Sequence, residues 1–259
     1  MPTPFSRQRA FSLVEMAVVL AILGLLLVTA MYTLQAQQAQ RAFDETQRRL
    51  EQAREAILGY AVANGRLPCP ANGATGVQSE ATAGAGDCTP SFIGFLPAAT
   101  LGIQPVDSSG FALDAWNNRI RYAVAQSITG CSGTSTTPHF TSKTNLKANG
   151  MSCRPSDNQL LICKSTQSSP APAVGSCGPA DNVVTNQGTV VVVIFSTGPN
   201  FLTATGTRPD EAENTDGDTL FISHTPQPEG ATGGEFDDMM VWIPVGTLYG
   251  RLASAGLLP

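Results

Sequence analysis

Three groups of residues in this 259-residue chain have types and spacings suited to chemistry. The first is Glu15, the single charged side chain in the apolar run from Phe11 to Leu34. A carboxylate in hydrocarbon costs roughly 2.5 kcal/mol or more, so it needs a partner. A cut between Ala10 and Phe11 would free an α-amino group four residues away, a positive charge of the right kind. The second is the acidic stretch from Asp210 to Asp218, where Asn214, Asp216 and Asp218 alternate around Gly217. With Asp237 or Asp238 from the next segment they form an oxygen-rich set for Ca²⁺, which takes about six to eight oxygen ligands in flexible geometry. The spacing is not that of an EF-hand, because Thr225 stands where the closing Glu would be. A solvated turn is the competing reading.

The third group is the cysteines: Cys69, Cys88, Cys131, Cys153, Cys163 and Cys177, all beyond the apolar run. An even number in an exported domain indicates a disulfide framework, with many connectivities open. Sequential pairing (69 with 88, 131 with 153, 163 with 177) closes short loops and is the expected one. No C-x-x-C or paired-histidine spacing favours a structural zinc. Catalytic patterns are missing as well: no G-x-S-x-G, H-E-x-x-H or Walker-type sequence occurs. His139 and His224 are expected as solvent-exposed loop residues, and the chain is not expected to be an enzyme.

The elements that must position these groups follow from periodicity. The 11–34 run is long enough to cross a bilayer, which takes about 20 residues. Residues 35–64 continue as an amphipathic helix without proline. Ala36, Ala39, Phe43, Leu50, Ala53, Ile57 and Ala61 make one apolar stripe, with Arg48, Arg49, Glu51 and Arg54 turned mostly away. Asn64-Gly65, then Pro68 and Pro70, stop the helix.

Beyond it, 65–259 reads as a β-rich head. Strands are expected at Arg119–Gln126, Gln159–Cys163, Thr189–Phe195 (the central one), Thr219–Ser223 and Met239–Ile243. A short closing helix is expected over Val245–Ala255. Residues 129–182 are polar and cysteine-rich and read as a disulfide-pinned excursion. The composition agrees with loop-rich β structure: 25 Gly and 18 Pro, with only 14% charged residues. The formal charge of −5 becomes −7 once Arg7 and Arg9 leave with residues 1–10. That acidity argues against a broad nucleic-acid surface, and no nucleic-acid partner is expected.

The segment Arg9-Ala10-Phe11-Ser12-Leu13-Val14-Glu15-Met16 resembles the class III leader of type IV pilins and type II secretion pseudopilins. The resemblance implies cleavage before Phe11 by a prepilin peptidase, N-methylation of Phe11 by the same enzyme, and Glu15 as the assembly carboxylate. Gly24 falls where that family's helix can loosen. Ala10 replaces the usual Gly before the cut, and Tyr32 stands near a common kinking Pro. In the head, Asp114-Ala115-Trp116-Asn117-Asn118 is similar to the major pseudopilin's Asp-Pro-Trp-Gly-Asn segment. Ser196-Thr197-Gly198-Pro199-Asn200 sits where that family has a Ser-Leu-Gly-Ala-Asp turn, a neighbourhood in which the resemblance implies calcium.

The expected fold class is α+β, a pilin-like lollipop. A long N-terminal helix, transmembrane in its first half, packs on an antiparallel sheet head with disulfide-pinned loops. The expected function is a minor pilin or pseudopilin of a type IV pilus-like filament or type II secretion pseudopilus. Its partners would be the peptidase, other pilin subunits and the inner-membrane assembly machinery. Its place would be the bacterial inner membrane with the head in the periplasm, then the filament. A rival reading is a membrane-tethered adhesive protein that never polymerises and binds through 129–182. An ordinary secretory signal is disfavoured because the apolar run is too long and contains Glu15.

Overall fold

Straight-chain residues and alanine dominate the sequence from Leu13 to Asn64, and no proline interrupts it, so one helix, α1 (Leu13–Asn64), forms without a break. The structure is a computed structural model that describes residues 13–130, 138–201, 208–231 and 234–258, with 28–36 as backbone only. Gly65, at φ +71°, ends α1 as expected, its amide donating to Ala61 O at 2.8 Å. The chain divides into two compact units, Met1–Asp44 and Glu45–Pro259.

In the first unit the helix exposes its apolar side chains: Leu13 is 90% exposed and Leu25 70%. Among the described residues, no helix is long and apolar enough to cross a membrane. The described residues cover the expected span over 11–34 only in part. Described apolar side chains run only from Leu13 to Leu27, about 22 Å at 1.5 Å per residue against the roughly 30 Å of a hydrocarbon core. The rest of the run lies outside the described side chains.

The second unit is built around the other half of α1. Leu50, Ala53, Ile57 and Ala61 are fully buried, the stripe the periodicity marks. Arg49, read as turned mostly away from that stripe, donates to the carbonyls of Leu113 (3.0 Å) and Asp114 (2.8 Å). Its stem lies along the head while the guanidinium satisfies a turn.

The strands are β1 (Ile93–Phe95), β2 (Arg121–Val124), β3 (Ile128–Thr129), β4 (Arg154–Pro155), β5 (Leu161–Cys163), β6 (Val190–Ser196), β7 (Leu220–Ile222) and β8 (Met239–Pro244). The shorter helices are α2 (Ala98–Leu101), α3 (Lys143–Asn149), α4 (Pro209–Glu213) and α5 (Val245–Ser254). The main sheet runs β1-β2-β6-β8, antiparallel throughout. All seven residues of β6 are buried, which is why its sequence is continuously apolar instead of alternating. β5 and β7 form a separate parallel pair, with Leu161 opposite Leu220. β3 and β4 make a third, two-residue ladder.

Residues within 129–182 reach the main core, where Phe140, Leu146, Leu160 and Ile162 are all buried. Ser142 caps α3 by accepting from the Asn145 amide. His139 is fully buried rather than exposed. Its ring meets Phe140 edge-on at 4.8 Å, and its Nε2 lies 3.2 Å from the Tyr249 hydroxyl. Burial lowers its pKa to about 4. Tyr249 in turn donates to Cys153 O at 2.6 Å. The Tyr249 partner of His139 lies 110 positions away in sequence, so its loop-like flanks hide the burial.

Disulfides join Cys69 to Cys88 and Cys163 to Cys177, both as expected. Cys153 is also disulfide-bonded. Cys131, its expected partner, lies outside the described residues.

Candidate functional site

The processing and assembly residues are placed in part. Ala10 and Phe11 lie outside the described residues. Glu15 stands in the first turn of α1, exposed among Leu13, Val14, Met16 and Val18.

In the head, the five expected cation ligands separate into two carboxylate groups with an amide between them. Asn214, which ends α4, does not offer a free oxygen. Its Oδ1 accepts the Ile222 amide at 2.7 Å, while its Nδ2 donates to Ile222 O at 3.0 Å and to Asp238 Oδ2 at 2.7 Å. The side chain therefore imitates a strand alongside β7. Asp216 and Asp218 belong to a surface turn: Asp216 accepts the Asp218 amide and Asp218 the Leu220 amide. Glu213 is their near neighbour. Burial first, and Asp216 and Asp218 next, raise the Glu213 pKa to about 7.

Asp237 and Asp238 lie elsewhere, with Glu211, a residue the sequence did not single out. Carboxylate oxygens of the three come within 4.8 Å of one another, and all three side chains are buried. Glu211 Oε1 accepts from the Asp237 amide (3.0 Å) and from Asn200 Nδ2 (3.2 Å). Glu211 Oε2 and Asp237 Oδ1 are buried without a hydrogen bond. The nearest cation to Glu211 Oε2, Arg208 Nη1, is 3.8 Å away, too far for one. Burial drives the Asp237 pKa up to about 7, reinforced by Glu211 and Glu235, and raises that of Asp238 as well. A cavity of about 160 Å³ beside them is lined by Thr197, Asn200, Phe201, Arg208, Glu211 and Asp238, among others.

Gly198 makes the close approach possible. At φ +62° it sits against Asp237, and a Cβ there would stand 1.8 Å from Asp237 Oδ1. The loop holding Gly198 is fixed from below by Asp114. That carboxylate accepts the amides of Trp116 (2.9 Å) and Asn118 (2.8 Å) on Oδ1 and the Ser196 hydroxyl on Oδ2. Asn118 then donates to Gly198 O at 2.6 Å. Ala115 donates its amide to Thr46 Oγ1 at 3.1 Å, tying the turn to α1. Asn117 adopts φ +68°. Asparagine tolerates this left-handed conformation, which explains how it replaces the Gly of the similar pseudopilin segment.

His224 is half-buried rather than exposed. Its ring stacks on Phe236 at 3.9 Å; Nε2 lies 3.3 Å from Asp210 Oδ2 and Nδ1 2.8 Å from Thr225 O. Burial pulls its pKa down, but Asp210 and the Thr225 carbonyl outweigh it, so the net shift is upward. With both nitrogens facing acceptors, the ring is placed to clamp α4 and not to abstract a proton.

The chain carries a prokaryotic N-terminal methylation motif: that family model matches residues 5–31. The motif is the class III leader of type IV pilins and pseudopilins. No curated protein and no solved structure matches the chain. An N-terminal helix, an antiparallel sheet and two described disulfides are compatible with a pilin-like fold.

Proposed function

We propose that this chain is the precursor of a structural subunit, a minor pilin or pseudopilin, of a type IV pilus-like filament or type II secretion pseudopilus. The observation behind this reading is the methylation motif at 5–31, which runs into the first turns of a 52-residue helix with exposed apolar side chains. A prepilin peptidase cuts between Ala10 and Phe11 and methylates the new amine. The apolar run then holds the subunit in the inner membrane, with the head in the periplasm. On assembly, Glu15 pairs with the Phe11 amine of a neighbouring subunit, an attraction strengthened where water is excluded. Failure to pair would leave a carboxylate desolvated, so the charge favours docking in one register. The reaction is association, and no turnover is involved.

In the same reading, Glu211, Asp237 and Asp238 hold a structural Ca²⁺. Support comes from three buried carboxylates with two oxygens unsatisfied by hydrogen bonds. Such crowding is unfavourable unless a proton or a cation neutralises it. A hard cation bound by these oxygens would fix α4 and the Gly198 loop against β8. Asp216 and Asp218 revert to turn-capping residues.

The deciding experiment is the intact mass of membrane-extracted protein, with and without a co-expressed prepilin peptidase. A chain beginning at N-methyl-Phe11 only with the peptidase is the expected result. An uncut chain, or one cut near Ala36, would leave a tether or a secreted domain instead.

A further inference from the structure

We propose that the outer edge of β8 is an interface for a second copy of this chain, the two strands pairing antiparallel about Val241. The main sheet has two edges, and they are treated differently. β1 is three residues long and is covered, since Ala71 and Phe95 exchange backbone hydrogen bonds at 2.9 and 3.2 Å. β8 is six residues long, and among the described residues no strand or backbone hydrogen bond lies on its outer side.

Solvent-facing edges are normally blunted by charges, proline, bulges or a cover. The sequence Met239-Met240-Val241-Trp242-Ile243-Pro244 has no charge, and its proline comes only at the end. The ladder's irregularity falls at Val190/Val192, opposite that same end, so Met239–Ile243 is left regular. A groove of about 390 Å³ adjoins the edge, lined by Met240 and Trp242 on one side and Glu51 and Arg54 of α1 on the other. Glu51 and Arg54 pair at 3.1 Å, so the groove brings no net charge.

Self-complementarity of the edge points to a second copy as the occupant. An uncharged edge beside a neutralised groove meets its own copy without like-charge repulsion, and an isologous contact needs one self-complementary patch. Pairing about Val241 sets Met240 opposite the second copy's Trp242, a favourable thioether–aromatic neighbour. Asp238 and Pro244 then fall outside the ladder. Moving the centre to residue 240 would set Asp238 opposite Trp242, and moving it to 242 would draw Pro244, which has no amide proton, into the ladder. The contact does not depend on Glu15 or on the first half of α1, so it stands apart from the filament reading.

The test uses the full chain in detergent micelles as two variants, Met240→Cys and Trp242→Cys. No described cysteine is free, so the new thiol reports alone. Directly opposed residues stand about 5 Å apart and form disulfides, whereas equal positions are diagonal, about 7–8 Å apart. The expected result is a reducible dimer after mild oxidation of the mixture, at least about tenfold above either variant alone. Equal cross-linking in all three samples, or none in the mixture, overturns the pairing. Should the variants misfold, amide exchange in the unaltered chain decides. Amides within 239–243 should be slowed by concentration, and concentration-independent exchange there overturns the proposal.

Discussion

Ser196, the last residue of β6, donates its hydroxyl to Asp114 at 2.6 Å across 82 positions of sequence. Asp114 also accepts two backbone amides, and both residues are buried. Asp114→Ala would strand three donors at once. We expect a loss of about 3 kcal/mol or more, read as a lower midpoint in denaturant. Asp114→Asn keeps one acceptor oxygen and should lose less. Equal midpoints for the variant and the parent would remove Asp114 from its anchoring role.

Asp237 gives the head a pH dependence of definite sign. Its folded pKa of about 7 lies above the usual carboxylate value. The unfolded chain therefore releases this proton first as pH rises, and the contribution of Asp237 to stability falls between about pH 4 and pH 7. Asp238 acts in the same direction. His139 has the opposite sign, because its folded pKa of about 4 removes stability as pH drops below about 6.5. Comparison of the parent with Asp237→Asn isolates the carboxylate. Without added divalent cation the parent should lose ground to the variant from pH 5 to pH 8, as read by thermal melts. Added Ca²⁺ should restore the parent at pH 8 and leave the variant nearly unchanged; indifference of the parent to Ca²⁺ would refute the cation site.

Glu15→Ala should leave the protein in the membrane and keep it out of filaments. Fractionation followed by shearing of surface filaments separates the two outcomes. Normal incorporation of the variant would sink the pairing of Glu15 with the Phe11 amine.

Arg66 and Glu80 form an ion pair with side chains only 8% and 6% exposed, beside the Cys69–Cys88 disulfide. Glu80→Gln leaves a buried guanidinium without its counter-charge, for which we expect about 3 kcal/mol of destabilisation. Replacing both, as Arg66→Met with Glu80→Leu, should cost less than the single change. A double-mutant cycle measures the difference.

Local pattern made much of this fold legible. The helix stop at Gly65, the buried run of β6 and the short α5 all lie where propensity and burial agree. Helix α3 and the burial of His139 were not legible, because Tyr249, which closes over His139 and Phe140, comes from α5, more than 100 positions away. The cation set shows the same division. Asp237 and Asp238 are visible as a pair, but Glu211 reaches them from α4, a single helical turn hidden in an acidic stretch. Its one sequence signal is Pro209 at the helix start, which places Glu211 in the first turn. The partners of Arg49 were hidden for a related reason: a helical period says which face a residue occupies, not which carbonyls a long side chain will find.

The exposed apolar side chains from Leu13 to Leu27 have one more consequence. Lipid tails and a bundle of like helices are nearly interchangeable solvents for them, so hydrophobicity gives almost no preference between the two. A buried carboxylate does discriminate: at roughly 2.5 kcal/mol in hydrocarbon, its neutralisation shifts the partition by about sixtyfold. One side chain among the fifteen positions from 13 to 27 would then set how the population divides between membrane and assembly, and small changes in partner supply would move the whole pool.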